Sequence, residues 1–146
     1  MTVADPRDPL QRKQDVLYRL QHDVDLWVAT ASAEGTPAMV PLSFWWDGRA
    51  LWLATLQGGV TGRNLARGNA RVALGHTRDV VLLDVQVDVT KPDVAAYDAF
   101  AAHTGFDVRD ADDYTYFRAV PTRVQAWREE NELAGRWLMR DGAWLV

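Results

Sequence analysis

Thr55, Gly58, Gly59, Thr61, Gly62, Arg63 and Asn64 lie in one short stretch, and their types suit a single task, gripping a phosphate. Glycine lets the main chain approach a ligand closely. Amide groups at the start of a helix point at an anion, and the helix dipole favours it there. Arg63 adds a planar fork for paired hydrogen bonds to phosphate oxygens. The stretch is not a Walker loop, because no Gly-Lys-Ser/Thr follows the glycines, and the chain has no GxGxxG. The same residues also fit an exposed loop with an ordinary helix cap and a surface arginine, and locally both readings stand. Arg67, Arg71 and Arg78 follow at short spacing. They either extend a positive funnel toward an anionic ligand or lie on a solvated face.

Other chemistry is thinner. His22, His76 and His103 are not spaced as metal ligands, so no metal site is expected. The chain has no cysteine, which removes thiolate nucleophiles, iron–sulfur clusters and disulfides together. Ser32 and Ser43 lack a nucleophile-elbow context. Asp107, Asp110, Asp112 and Asp113 follow Gly105 in a turn-like run that reads as a solvated loop. No catalytic side chain is assigned, and any chemistry is expected to reside in a bound cofactor. A net charge of −4 argues against a nucleic-acid surface. No apolar run is long enough for a membrane helix, and a cytoplasmic location is expected.

The 146 residues, 48% of them hydrophobic, predict one globular domain over 9–146 behind a flexible tail, 1–8. Asp8 and Pro9 open a helix ending near His22, with Leu10, Leu17, Leu20 and Val24 as its apolar stripe. Strands are expected at Leu26–Thr30, Met39–Trp46, Ala50–Thr55, Arg71–His76, Asp79–Val89 and Tyr114–Trp127, the last bent at Pro121. A short helix opened by Thr61 and closed by Gly68 interrupts them, as does a second helix capped by Thr90 and ended by Gly105. A hairpin around Asp141-Gly142 closes the chain. All seven tryptophans fall in strand-like segments; most are expected in core or dimer contacts, and one or two against a ligand. The order of elements describes a mainly β, antiparallel barrel or sandwich rather than a doubly wound sheet.

Several fragments, in order and spacing, carry a family resemblance. They are Leu26-Trp27-Val28-Ala29-Thr30, Gly35-Thr36-Pro37, Val40-Pro41-Leu42-Ser43-Phe44, Leu51-Trp52-Leu53-Ala54-Thr55, Arg63-Asn64-Leu65 and Ala70-Arg71-Val72-Ala73-Leu74. Together they resemble the pyridoxamine 5′-phosphate oxidase-like proteins. The resemblance implies a six-stranded antiparallel split β-barrel with flanking helices and a homodimer. It implies FMN, or alternatively the deazaflavin coenzyme F-420, between the subunits. Val40, Pro41, Leu42 and Ser43 would run beside the ring edge, and Thr55, Thr61, Gly62, Arg63 and Asn64 would hold the phosphate. Pro121-Thr122-Arg123-Val124-Gln125-Ala126-Trp127 is similar to a Pro-x-x-Ile-x-x-Trp element of the true oxidases, which makes Trp127 the residue covering the flavin from the second subunit. Arg136 is the accompanying arginine, with its spacing off by one.

The departures are chemical. The oxidases' arginine and lysine flanking the strand correspond to Ala38 and Ser43, and the lysine of their phosphate loop falls near Thr61. Each lost charge-assisted contact costs ~1.5–3 kcal/mol. The oxidases' Arg-Leu-His is replaced by Arg136-Trp137-Leu138-Met139, so vitamin B6 synthesis is not expected. The resemblance leaves three functions: a flavin-dependent oxidoreductase acting on a small planar substrate, a deazaflavin-dependent reductase, or a non-catalytic flavin- or haem-binding module.

Overall fold

The computed structural model describes residues 2–146. Eight strands follow in chain order: β1 (Asp25–Ala31), β2 (Pro37–Trp46), β3 (Leu51–Leu56), β4 (Asn69–Leu74), β5 (Val80–Val89), β6 (Tyr114–Trp127), β7 (Trp137–Arg140) and β8 (Ala143–Trp144). Three helices accompany them, α1 (Pro9–His22), α2 (Val60–Leu65) and α3 (Val94–Thr104). Strand pairing runs β3-β2-β1-β4-β5-β6-β7-β8, and a β3–β6 pairing closes the first six into an antiparallel barrel. The final hairpin extends from β6 outside that closure.

Alternation along the strands sends one apolar set inward. Leu26, Val28, Phe44, Leu51, Leu53, Val72, Leu83, Phe117 and Val124 belong to the main core, joined by Val16 and Leu20 of α1 and Leu65 of α2. A smaller core of Trp52, Ala54, Phe100, Val108 and Tyr116 lies outside the barrel wall, roofed by α3. β6 is bent where expected: the pairing shifts opposite Asp84 and Val85, beside Pro121.

Three boundaries differ from expectation. α2 is capped by Gly59 rather than opened by Thr61. α3 is capped by Asp93, whose carboxylate accepts from the Ala96 amide at 2.8 Å, rather than by Thr90; Asp93 stands directly before the first helical residue, Val94, and Thr90 lies three residues earlier, outside the cap position. β4 ends at Leu74 because Gly75, at φ +57°, turns the chain out of the strand. The α1 stripe is also offset. Leu10 is exposed, while Arg12, Val16 and Leu20 form the buried face. Arg12 is tolerated there because its guanidinium donates to the carbonyls of Arg7, Ala126, Glu132 and Ala134.

The start of the chain is tied to the barrel through Arg7. Its side chain bonds both oxygens of the buried Glu132 at 2.8 and 3.0 Å and reaches Asp15 at 2.9 Å. These bonds hold the Glu132 carboxyl down at about 2 against an ordinary 4.5.

Candidate functional site

β2 changes partners along its length. Residues 37–43 pair with β1, whereas only 44–46 pair with β3. β3 itself runs on against β6 from Leu51 to Leu56. Beyond Phe44 the two strands therefore separate, and among the described residues no strand covers the other edge of 37–43. An uncovered edge presents main-chain donors and acceptors. Val40, Pro41, Leu42 and Ser43 all lie on it. Pro41 has no N–H to offer, and a one-sided stretch is where that loss costs least. Leu42 packs on the main core, Pro41 is exposed, and Ser43 donates to Asp25 at 2.6 Å.

α2 touches β1, β2, β3 and β4, so the split gathers β2, Thr55 near the end of β3, and the 57–64 loop-helix. The sequence builds this turn through Gly62: a Cβ there would collide with the Leu56 carbonyl oxygen, so only glycine lets α2 fold back on the strand it leaves. Thr61 is buried. Asn64 is buried too, and its amide donates to the Thr30 hydroxyl at 3.1 Å, so it fastens α2 to β1 instead of facing solvent. Arg63 is exposed; one guanidinium N–H reaches the Gly58 carbonyl at 2.9 Å and curls the side chain over the glycine turn, leaving its other N–H groups uncommitted. The Gly59 cap makes no side-chain hydrogen bond. The Leu56–Gly59 turn and Asp113 border an open depression.

Trp127 and Arg136 sit elsewhere. Trp127 pairs with Val80 at the far end of β6, eight residues past the last β6 position that faces β3, roughly 25 Å along the strand. Arg136 precedes β7 and donates to the Gln125 side chain at 3.1 Å and to the Leu133 carbonyl at 3.0 Å. One chain thus brings β2, Thr55 and α2 together and leaves Trp127 and Arg136 in a second group.

Two features escaped sequence reasoning. A row of outward residues crosses the sheet in register, Pro41, Trp27, Ala73, Leu82 and then Gln125; Trp27 is 44% exposed and Met39, in the adjacent row, 64%. Among the described residues no helix covers this face. The outward alternation of β1 and β2 was visible in the sequence, but nothing local says whether a helix will lie over it. The second feature is the set of arginines around Trp137, whose members come from β6, the turn before β7, and β7 itself. Of the nearby basic residues, Arg71 is committed to Asp84 by bonds of 2.6 and 3.2 Å, which raise its pKa, so its share in a funnel is largely neutralised. None of the helices among the described residues is long and apolar enough to cross a membrane.

The sequence matches the family described as pyridoxamine 5′-phosphate oxidase over residues 16–128, a span that includes the split, α2 and Trp127 but stops short of Arg136. No curated protein sequence matches the chain. Solved structures with the same fold include general stress protein 26 of Bacillus anthracis, 15% identical over 81% of this chain and 95% of that one, with a TM-score of 0.66. An F-420 reductase is 20% identical over 73% of this chain and 93% of its own, with a TM-score of 0.60. The haem storage protein HutZ of Vibrio cholerae is 14% identical over 90% of this chain and 98% of its own, with a TM-score of 0.62. At these identities the likeness is one of fold.

Proposed function

The chain belongs to the pyridoxamine 5′-phosphate oxidase family, and from that premise we propose that it is a homodimeric, FMN-binding oxidoreductase acting on a small planar substrate. The observation that carries this reading is the split itself: an uncovered β2 edge at 37–43 placed beside a glycine turn and an arginine. A planar ring with hydrogen-bonding edges suits the first, and a terminal phosphate suits the second. Bound FMN supplies hydride transfer. The main chain of Val40, Pro41, Leu42 and Ser43 orients the ring. Thr55, Thr61, Gly62 and Arg63 hold the phosphate, and Asn64 serves by pinning α2 to Thr30. Trp127 and Arg136, remote from the split in their own chain, act on the second copy's site, and the bare sheet face around Trp27 is the surface on which the copies meet. Burying Trp27 there excludes water from the ring. Ala38 and Ser43 lack the cations of the true oxidases, and vitamin B6 synthesis is not part of the proposal.

A second reading, the deazaflavin coenzyme F-420 in place of FMN, is favoured by the surplus of arginines on the bare face. Titration of the purified apoprotein with each coenzyme, followed by fluorescence, separates the two. Saturation with FMN at one equivalent per protomer supports the first reading, and saturation with F-420 alone moves the assignment to the second. Binding of neither withdraws both and leaves a module without this coenzyme.

A further inference from the structure

A cavity of about 720 Å³ opens between the first turns of α3 and the outer face of β2, β3 and β6. Register lays out its floor. Trp45 of β2 stands beside Trp52 of β3, and Trp52 beside Arg118 of β6, so two indoles and a guanidinium follow one another across the sheet at about 5 Å per strand. α3 contributes Ala95, Ala96 and Ala99, side chains too short to fill the space. Four charged groups reach the cavity, and the two carboxylates are already engaged. Asp47 accepts from the amides of Arg49 and Ala50 at 2.8 Å and from the Trp52 indole at 2.9 Å. Asp93 caps α3 through the Ala96 amide. Arg118 is half-buried and Lys91 exposed, and neither makes an ion pair or a side-chain hydrogen bond among the described residues. Asp88 is the register neighbour of Arg118 on β5, yet it stays beyond ion-pair distance. The cavity therefore offers uncommitted cationic donors beside indole rings, a combination that suits an acceptor carried on a flat apolar body.

We propose that this cavity is a second ligand site, separate from the split, and that it takes a one- or two-ring aromatic carboxylate. The ring lies against Trp45 and Trp52 in the room the three alanines leave. The carboxylate accepts paired N–H bonds from the Arg118 fork, with Lys91 at the mouth. The volume falls in the range of small-molecule pockets, where apolar walls and a few convergent polar groups fix the ligand. A simple inorganic anion leaves the indoles uncovered, and a cation meets Arg118 as a like charge. The site shares no residue with the proposed coenzyme contacts, so the inference stands apart from the coenzyme reading.

Calorimetric titration of the full-length protein with naphthoate tests this, with naphthamide and naphthylmethylammonium as neutral and cationic probes of the same ring. Naphthoate is expected to bind at least about tenfold more tightly than either of the others. Arg118→Gln is expected to remove that preference and leave naphthamide affinity unaltered. Ala96→Leu, which fills the room beside the indoles, is expected to weaken naphthoate and naphthamide together. Both variants are expected to keep the parent's FMN affinity in a separate titration, so failure here is distinguishable from failure of the coenzyme reading. Equal binding of the three probes overturns the proposal. So does a parent protein that binds no naphthoate, displacement of bound naphthoate by FMN, an Arg118→Gln protein that keeps the preference, or an Ala96→Leu protein that melts like the parent and binds naphthoate as tightly.

Discussion

Two nearly identical pentapeptides meet opposite fates. Leu26-Trp27-Val28-Ala29-Thr30 lies in β1 and Leu51-Trp52-Leu53-Ala54-Thr55 in β3, and both turn a Trp-x-Ala pair away from the barrel interior. In β3 the pair is roofed by α3: Trp52 is 8% exposed, its indole donates to Asp47 at 2.9 Å, and it packs in the smaller core with Phe100 and Tyr116. In β1 the pair is bare, and Trp27 is 44% exposed. The chain closes one outer face with its own helix and leaves the equivalent surface open. A large aromatic on an uncovered sheet face, in line with Pro41 and Leu82, is the signature of a surface meant to be covered by something else. On the proposed reading, Trp52 stabilises the protomer and Trp27 serves assembly and ligand.

The sharpest way to break it is Trp52→Ala. Truncating this roofed indole is expected to destabilise the protomer by ~3–5 kcal/mol in denaturant unfolding, with coenzyme affinity per folded molecule unchanged. The Arg7–Glu132 clamp comes next. Glu132 is held at about 2 rather than 4.5, so its contribution of about 3 kcal/mol is fully present above its ordinary pKa and lost as the pH falls from there toward 2. Denaturant midpoints measured down through that window are expected to drop more steeply for the parent protein than for Glu132→Gln, which begins less stable and is flatter. Trp27→Ala is the mirror of the first change: it is expected to leave protomer unfolding nearly unaltered and to weaken self-association by about 2 kcal/mol or more in sedimentation equilibrium. Equal effects of Trp27 and Trp52 on unfolding would dissolve the distinction between the faces. Arg63→Ala is expected to weaken FMN by at least about tenfold, ~1.4 kcal/mol, in fluorescence titration. The smallest effect belongs to the roofed face. The Tyr116 hydroxyl is buried without a partner and burial pushes its pKa up to about 12, so Tyr116→Phe is expected to stabilise the protein by about 1 kcal/mol, read as a raised melting temperature.

Much of this fold was legible because its signals are local. Asp8-Pro9 caps α1, Asp141-Gly142 turns the last hairpin with both residues at positive φ, and the alternation Val85, Val87, Val89 against Gln86, Asp88 puts Val85 and Val87 inside but leaves Val89, at the strand end, exposed. The family fragments were legible through their order and spacing, which fall largely within the matched span of residues 16–128. What stayed hidden depends on distant elements. Leu10 reads as core, yet the buried face of α1 runs through Arg12, which donates to the carbonyls of Ala126, Glu132 and Ala134, more than a hundred residues away. Asn64 looks like a phosphate ligand by position, and only the fold shows that Thr30 takes its amide. The cluster around Trp137 draws on three separate segments, and no spacing in the sequence announces it. The difference between Trp27 and Trp52 is of the same kind, since it turns on where α3 lies.

Sedimentation velocity of the protein with a slight excess of coenzyme, recorded at the coenzyme's own visible absorbance, tests the central claim most directly. The account predicts that the colour travels with a dimer at one coenzyme per protomer, and that Trp27→Ala shifts colour and protein together toward slower species. Colour left behind with the solvent, or carried stoichiometrically by a monomer, would contradict it.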